Sequence, residues 1–420
     1  MKHYSFPAPS GTIAGILSVA VGVHASGFDV PDQDAFAVAR GLAVVATADN
    51  PSAIFYNPAG LTQLTGNNLR FGIYGISLEP KYRSPAGGSF ENQDKISGLP
   101  QLFYSFSNEK QTISAGLGIY APSGLSVRWP DATGFRTVGT QAGLQQLAIN
   151  PVVAFKLLPS LSLGAGLSAN YANLDLRQGI FWPSQSFDQF RFQGDGWGIS
   201  GNVGLLWKPV EQLAFGAAFQ TGSKFDLSGR TTAYNTVPIP GLGYPAFSTQ
   251  HDANADFQFP LKVKAGVSYR PTPKWNLEFD AEYINWNTVG TVTINQSAAF
   301  PPLFPKNIPL VLNWSDSMYY ELGATRYLDN GWQVSAGYIF NQNSVPSANY
   351  NPLVADEDRH FISIGFGHKG QRFDFDVGYQ FGYGPDRTVS GSKVSGAGQS
   401  ADGTYSFISH ALSVSVGVHF

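Results

Sequence analysis

The chain has 420 residues, a formal charge of −3 and no cysteine, so neither disulfide bonds nor thiolate metal sites are available to it. Charged residues make up 13% of the chain, about half of the quarter that is usual in a soluble domain, whereas aromatic residues reach 14%. This balance argues against intrinsic disorder and against nucleic-acid binding, which requires a basic surface.

The first 25 residues have the pattern of an export signal. Lys2 and His3 form a weakly basic start, and residues 12–23 are an apolar run of the length expected for a signal core. Modest side chains around Ala25 predict cleavage after that residue. The sequence contains no apolar run of about 18 residues, so it predicts no membrane-spanning helix.

Residues 26–65 do not share the pattern of the rest of the chain. Alanine recurs between residues 35 and 48, which favours helix over strand, and residues 49–52 and 57–58 are turn signals. Ile54 and Phe55 are apolar and would meet water if this segment lay outside a barrel. We therefore predict that residues 26–65 fold as a plug, or hatch, inside the lumen of a wide barrel.

Residues 66–420 alternate between apolar and polar side chains. Phe373, Phe375 and Val377, for example, alternate with Asp374 and Asp376, and this period of two predicts β-strands. Aromatic side chains recur near the strand ends, as in the lipid-facing wall of a membrane barrel. About fourteen such segments, joined alternately by short and long connections, predict an all-β, antiparallel, 14-stranded outer-membrane β-barrel.

The third predicted strand, residues 112–128, contains an interruption. Pro122 lacks the N–H group that a strand ladder uses, and Gly124 permits a bend, with Ser123 between them. We predict a lateral opening in the barrel wall at these three residues. The alternative is a bulge near the external rim that has no role in transport.

Two long connections, residues 179–194 and 229–255, are unusually apolar for external loops. A third, residues 295–315, is also rich in Phe and Pro. Exposed apolar patches usually mark binding sites, so the loops predict capture of an apolar ligand. The alternative is that their aromatic side chains pack on one another as a lid. The candidate contacts in the first two loops are Phe181, Trp182, Phe187, Phe190, Ile239, Leu242 and Phe247.

The C-terminal strand ends in an aromatic residue, Phe420, which continues an apolar stripe of alternate residues from Leu412. This ending resembles the sorting signal of outer-membrane barrels. It implies the barrel-assembly machinery as a partner, together with outer-membrane lipid and lipopolysaccharide, in a Gram-negative cell. We expect a monomer, because one barrel encloses the whole path, and we expect neither a metal nor another cofactor.

In several places the sequence resembles the FadL-type outer-membrane transporters of long-chain fatty acids and other hydrophobic compounds. The resemblance implies a fourteen-stranded barrel with an N-terminal hatch, in which Asn57, Pro58 and Ala59 form the hatch motif. It also implies a kinked third strand, with Ser123 and Gly124 at the matching place. The similarity rests on Ser26-Gly27-Phe28, residues 48–50, Asn57-Pro58-Ala59-Gly60-Leu61, Gly196-Trp197-Gly198, Ser344-Val345-Pro346 and Asp356-Glu357-Asp358-Arg359.

The resemblance also implies a ligand pocket between the wall and the hatch, with Phe28 beside it. Where fatty-acid members carry basic side chains, this sequence has Gln178 and Thr293, with Arg177 one step out of phase. The loss of both cations favours neutral ligands such as aromatic hydrocarbons or alkanes. Lys264 offers a headgroup contact, although an ionic ladder across the lumen explains it equally well.

A chain of about sixteen carbons gains roughly 10 kcal/mol on leaving water and would lose this gain by entering the periplasm. Sideways release into lipid keeps it, so the predicted function is passive uptake of hydrophobic compounds with lateral exit. One alternative is a general water-filled porin. Another is an outer-membrane lipase that uses His251 and Asp252 in a loop.

Overall fold

A computed structural model describes residues 27–181, 187–238, 245–354, 356–396 and 398–420. The predicted signal segment therefore lies outside the described residues. The helices are α1 (Ala35–Ala39) and α2 (Ala53–Tyr56), with a 3-10 helix at Pro58–Gln63 and shorter ones at Trp286–Thr288, Asp329–Gly331, Ser347–Asn349 and Pro352–Val354. In the part of the chain that is described, none of the helices has the length and apolar character needed to cross a bilayer.

Most of the described chain is β-strand. The strands before residue 260 are β1 (Gly66–Leu78), β2 (Lys81–Arg83), β3 (Ser89–Glu91), β4 (Ile96–Ser107), β5 (Ile113–Arg128), β6 (Gln141–Leu158), β7 (Leu161–Gln178), β8 (Asp188–Val210), β9 (Leu213–Gln220), β10 (Ser223–Asn235) and β11 (Phe247–Phe259). They continue with β12 (Lys262–Thr272), β13 (Trp275–Ile284), β14 (Thr291–Gln296), β15 (Asn307–Val311), β16 (Ser317–Tyr327), β17 (Trp332–Asn341), β18 (Arg359–Lys369), β19 (Phe373–Val389), β20 (Ser395–Gly396), β21 (Gln399–Ser400) and β22 (Gly403–His419).

Fourteen of the described strands form a closed antiparallel ring. Its order is β1-β4-β5-β6-β7-β8-β9-β12-β13-β16-β17-β18-β19-β22, and β22 pairs with β1 to close it. Outward residues are apolar and exposed, whereas inward residues are small or polar. In β22, for example, Leu412 is 53% exposed and the neighbouring Ser413 is buried. The predicted fourteen-stranded barrel is confirmed.

On the external side, four separate strands continue the wall. β10, β11, β14 and β15 pair with one another and with the first part of β8, above the closed ring. The loops predicted at residues 179–194 and 229–255 are therefore too long. The first of them includes the start of β8, and most of the second belongs to β10 and β11. Alternating burial shows why the start of β8 is strand and not loop: Phe190 and Phe192 are buried on one face, and Arg191 lies on the other.

The described part of the N-terminal segment, residues 27–65, lies inside the barrel against inward-facing side chains. Helix α1 is capped by Asp34, whose side chain accepts a hydrogen bond from Phe36 N at 3.0 Å. The predicted helical character stops at Ala39, and the later alanines, from Ala43 to Ala48, lie in turns. There, side chains of the wall and not helical carbonyl groups accept hydrogen bonds from the backbone N–H groups.

Two wall glycines allow this turn to approach closely. A Cβ atom on Gly337 of β17 would lie 2.1 Å from the carbonyl carbon of Arg40, and one on Gly216 of β9 would lie 2.1 Å from Val45 O. Both distances are far below a normal contact. Any side chain at these two positions would push the segment away from the wall.

Candidate functional site: an apolar pocket beside a break in the wall

An apolar cavity lies in the external half of the barrel, with an empty volume of about 850 Å³ that includes space open to solvent. Wall strands supply most of its lining, and two external loops cover it with Val138 and Leu353. Most of the lining side chains are aliphatic, among them Leu144, Leu174, Leu176, Val292, Ile294 and Leu310. This lining suits an apolar ligand.

Phe28 lines one end of this cavity and belongs to an aromatic cluster. Its ring centroid lies 5.3 Å from that of Phe257, 4.9 Å from Phe259, 4.7 Å from Trp286 and 5.5 Å from Trp314. Rings at these distances attract one another beyond simple burial. Phe28 is placed where the resemblance implies, and its contact with a ligand remains a prediction.

The wall ladder is interrupted beside Phe28. β4 and β5 pair from Ser107 and Ser114 up to Leu102 and Ile119, where the paired stretch ends. Just beyond, between Tyr120 and Ser123, β5 has one residue more than β6 and bulges. The predicted opening at Pro122, Ser123 and Gly124 thus coincides with a real change in strand pairing, and its use as an exit remains a prediction.

The tip of the N-terminal segment, residues 28–33, occupies this break from the inside. Val30 N donates to Pro122 O at 3.0 Å, and Gly124 N donates to Phe28 O at 2.9 Å. On the other side of the break, Gln101 Nε2 of β4 donates to Asp32 O at 2.8 Å. The tip therefore bridges β4 and β5 at the level where the two strands no longer pair with each other.

Strand β13 fixes the next part of the segment. Asp280 Oδ2 accepts hydrogen bonds from Val44 N at 2.8 Å and Val45 N at 2.9 Å. Glu278 Oε1 accepts from Ala46 N at 2.7 Å, and its other oxygen lies 3.3 Å from Arg40 Nη2. The three backbone N–H groups bound to these carboxylates explain why residues 43–48 are not helical.

A second anchor forms around Arg70 of β1. Its guanidinium pairs with Asp34, and it also contacts Asp374 at 2.9 Å and Asp376 at 2.7 Å. Arg70 is buried, so its charge depends on these partners. Because Asp34 also caps α1, Arg70 links the start of that helix to β1 and β19.

The hatch motif forms a joint between the segment and the wall. Asn57 Oδ1 accepts from Ala59 N at 3.2 Å, and its Nδ2 donates to Leu205 O of β8 at 3.0 Å. Pro58 occupies the first position of the 3-10 helix, where a missing N–H costs nothing. Asn57, Pro58 and Ala59 are buried and lie away from the apolar cavity.

Other predicted contacts are dispersed. Ile54 and Phe55 pack below the break with Tyr120, and the Phe55 and Tyr120 rings are 5.2 Å apart. Lys264 pairs with Glu321 at 2.6 Å and Glu282 at 3.4 Å, so it belongs to the ionic ladder beneath the cavity. Neither group borders the cavity, and their contact with a ligand remains a prediction.

Arg177 of β7 is held in an ionic cluster. Gln178 and Leu176 face the cavity, whereas the Arg177 guanidinium pairs with Asp175 at 2.9 Å. Arg191 of β8 pairs with the same carboxylate at 2.6 Å. Arg177 lies at the cavity rim, but its charge is engaged in this cluster and is not aimed at a ligand.

An external aromatic cluster adjoins the cavity. Phe181 and Phe190 are buried in it, Phe247 packs against it, and Phe190 stacks on Phe304 at 4.1 Å. Phe187 is 47% exposed. Trp182, Ile239 and Leu242 lie outside the described residues. The described aromatics therefore pack partly on one another, and because Phe190 also lines the cavity, the cluster and the cavity are continuous.

His251 is placed differently from the loop position expected for a lipase. It lies in β11, its ring 4.3 Å from that of Phe300. Asp252 follows directly in the same strand, so the two side chains point to opposite faces. This geometry does not favour a histidine–aspartate pair.

Sequence reasoning missed several residues of the cavity and of the aromatic cluster around Phe28. Phe257 was predictable from the sequence, because it occupies an inward position of an alternating strand. Trp286 and Trp314 were not, because they lie in the irregular connections between β13 and β14 and between β15 and β16. Their proximity depends on how these strand pieces are offset, which no local pattern encodes.

Comparison with known proteins agrees with this geometry. A family model described as "Outer membrane protein transport protein (OMPP1/FadL/TodX)" matches residues 16–420. The long-chain fatty acid transport protein of Escherichia coli K12 is 21% identical over 380 residues, covering 80% of this chain and 83% of the relative. Outer membrane protein P1 of Haemophilus influenzae is 22% identical over 417 residues, covering 87% and 88%.

Solved structures share the fold. A Pseudomonas aeruginosa FadL homologue superposes with a TM-score of 0.80 at 18% identity, covering 94% of this chain and 100% of the homologue. The Pseudomonas putida toluene transporter TodX gives 0.72 at 16% identity, covering 94% and 100%. With the family model spanning nearly the whole chain, and with the barrel and its internal segment in place, this chain belongs to the OMPP1/FadL/TodX family of outer membrane transport proteins.

Proposed function

We propose that the protein is a passive channel through which hydrophobic compounds cross the outer membrane. The observation that carries this proposal is one continuous apolar route. It begins at the external aromatic cluster, continues through the cavity by way of Phe190, and ends at Phe28 beside the break between β4 and β5.

The route favours lateral release over release into the periplasm. Each methylene group gains about 0.8 kcal/mol on leaving water, so a long alkyl chain is costly to return to an aqueous compartment. Below the cavity, the N-terminal segment is held by Asp280, Glu278 and Arg70. The tip lies in the wall break itself, where it bridges β4 and β5 beyond the end of their pairing, so we propose that it moves aside and the ligand leaves into lipid.

A general water-filled porin fits less well. The described lumen is occupied by residues 27–65, and the space above them is lined by aliphatic side chains. The relatives support a hydrophobic substrate, since their names refer to long-chain fatty acid transport and to toluene transport. We propose one of these two ligand classes for this chain.

Ligand occupancy of the cavity is measurable through Trp314. This residue is buried in the cavity lining, and bromine atoms quench nearby indole fluorescence. Titration of the reconstituted protein with bromohexadecane or dibromostearate is expected to give saturable quenching. Trp314→Phe is expected to remove most of the saturable component.

The matched control is Trp207→Phe. Trp207 is 44% exposed on the outer face of the wall, where brominated lipid-like molecules quench it without saturation. This variant should therefore retain the saturable component. Quenching that is only linear in the unmodified protein, or that is unchanged in Trp314→Phe, would contradict a ligand site in the cavity.

A further inference from the structure

A polar pocket lies at the end of the barrel opposite the external strands, where short turns join the wall strands and face the periplasm. Its empty volume is about 580 Å³, which includes space open to solvent. Strands β6 and β8, the start of β7 and the 3-10 helix of the N-terminal segment enclose it. We call it the lysine pocket, and its polar lining residues are Thr62, Gln63, Lys156, Ser160, Ser162 and Lys208.

Strand alternation directs both lysines toward the inside of the barrel. Lys156 of β6 is paired with Ser162 of β7, and Ser162 is paired with Leu206 of β8. Ser162 and Leu206 are buried on the inner face. Lys208 follows Leu206 by two residues and therefore shares its face, whereas Trp207 between them is exposed on the outer face.

Neither lysine forms an ion pair with a carboxylate of the described chain. Lys208 is half-buried, and its Nζ atom donates to Gln63 Oε1, which is a neutral acceptor. Lys156 is a like-charged neighbour, so it opposes the Lys208 charge and does not balance it. A partly buried charge without a counterion is unfavourable, so the two lysines indicate an anion from outside the chain.

The carboxylate of the N-terminal segment on this side of the barrel serves other cations. Asp49 Oδ2 lies 3.1 Å from Lys369 Nζ and 3.9 Å from Arg270 Nη2. Its single charge is therefore already shared by two partners. The excess positive charge of the lysine pocket is left for a ligand.

The pocket also contains hydroxyl groups. Thr62 Oγ1 lies 2.7 Å from Ser162 Oγ, and Ser160 adds a hydroxyl in the turn between β6 and β7. A phosphate monoester has a charge of about −2 and several acceptor oxygens, so it can use two ammonium groups and hydroxyl donors together. A carboxylate has half that charge and fewer oxygens, so it matches the pocket less well.

Gln63 connects the pocket to the rest of the N-terminal segment. Its Nε2 donates to Thr47 O at 2.8 Å and to Ala48 O at 3.0 Å, while its Oε1 accepts from Lys208. An anion beside Lys208 therefore lies against the segment as well as the wall. Its binding adds a contact between the two.

We propose that the lysine pocket binds a phosphate group, with Lys156 and Lys208 as its cations and the hydroxyls of Ser160 and Ser162 as further donors. The phosphate belongs either to a phospholipid headgroup of the periplasmic leaflet or to a free phosphate compound, because both present the same chemistry. The site is separate from the apolar pocket, and its test requires no hydrophobic ligand.

The test is calorimetric titration of the full chain in maltoside detergent, which contains no phosphate. Inorganic phosphate is the first probe, and dihexanoylphosphatidic acid below its critical micelle concentration is the second. Lys156→Gln and Lys208→Gln are each expected to weaken binding about tenfold, because a hydrogen bond to a charged group is lost, and the double variant about 100-fold. The probe that the unmodified protein binds more tightly identifies the source of the phosphate.

Lys274→Gln is the matched control. The Lys274 side chain is 58% exposed at the same end of the barrel, lies 3.0 Å from Asp329 and does not line the pocket. This variant loses the same charge, but binding should change by less than about twofold, because exposed charges are screened. Without phosphate, the two pocket variants should melt no lower than the unmodified protein, because each removes a cation that has no counterion.

Three results would overturn the proposal. The first is that neither probe binds to the unmodified protein. The second is that binding persists in the double variant or falls equally in Lys274→Gln, which would show general attraction to positive charge. The third is a lower melting temperature of both pocket variants without phosphate, since the lysines would then have an internal partner. If one pocket variant does not fold, the other decides.

Discussion

Deletion of Pro122 is expected to abolish uptake of hydrophobic compounds while the barrel remains folded. β5 has two residues, Ala121 and Pro122, where β6 has only Leu147. Removing one residue brings the pairs on both sides of the bulge into a single register, from Ile113 to Arg128. It also removes the residue that lacks an N–H group, so the strand can straighten and close against β4.

The expected effect on transport is large, because a closed ladder leaves no sideways path and the lower lumen stays filled. Uptake of a radiolabelled alkane should fall to the level of cells without the protein, while heat-modified electrophoretic mobility still reports a folded barrel. Pro122→Ala keeps the length of β5 and serves as the control, with uptake largely retained. Normal uptake by a folded deletion variant would refute lateral exit.

Replacing Arg70 with leucine is expected to release the upstream part of the N-terminal segment. The change leaves Asp34, Asp374 and Asp376 without their shared cation. Breaking a buried ion pair by removing one partner costs about 3 to 5 kcal/mol. Because Asp34 holds the start of α1, the loss of this cation weakens the attachment of the segment to the wall.

Release of the segment opens the lumen to ions, so it can be measured as ion conductance in planar bilayers. We expect frequent channel openings in Arg70→Leu and almost none in the unmodified protein. Arg326→Leu is a suitable control, since Arg326 is exposed on the outer face and lies over the Trp275 ring at 5.1 Å. An Arg70→Leu variant that shows no channel openings and also keeps its thermal stability would show that this anchor does not hold the segment.

The wall could be predicted from sequence because each strand carries its own alternation. The inward and outward phases of Ser413 and Leu412, for example, need no knowledge of the neighbouring strands. The same reasoning placed Arg177 one step out of phase with Gln178, and in the structure its guanidinium pairs with Asp175 at the rim of the cavity. Pro122 likewise marked the break in β5, because the loss of a backbone donor is a local property.

The remaining site features depend on contacts across the barrel. The alanine-rich residues 43–48 have helical propensity, but the carboxylates of Asp280 and Glu278 accept hydrogen bonds from the backbone N–H groups of Val44, Val45 and Ala46. Trp314 gave no sign of lining a cavity, since it lies in the irregular connection between β15 and β16. Such features follow from the closure of the ring and not from any one segment.

The most direct test of the channel is the initial rate of radiolabelled hexadecane and oleate uptake by Gram-negative cells that lack a hydrophobic channel of their own. Expression of this protein is predicted to accelerate uptake of at least one of the two ligands and to leave the uptake of a small sugar unchanged. Equal rates with and without the protein, or faster sugar uptake alone, would contradict a channel for hydrophobic compounds.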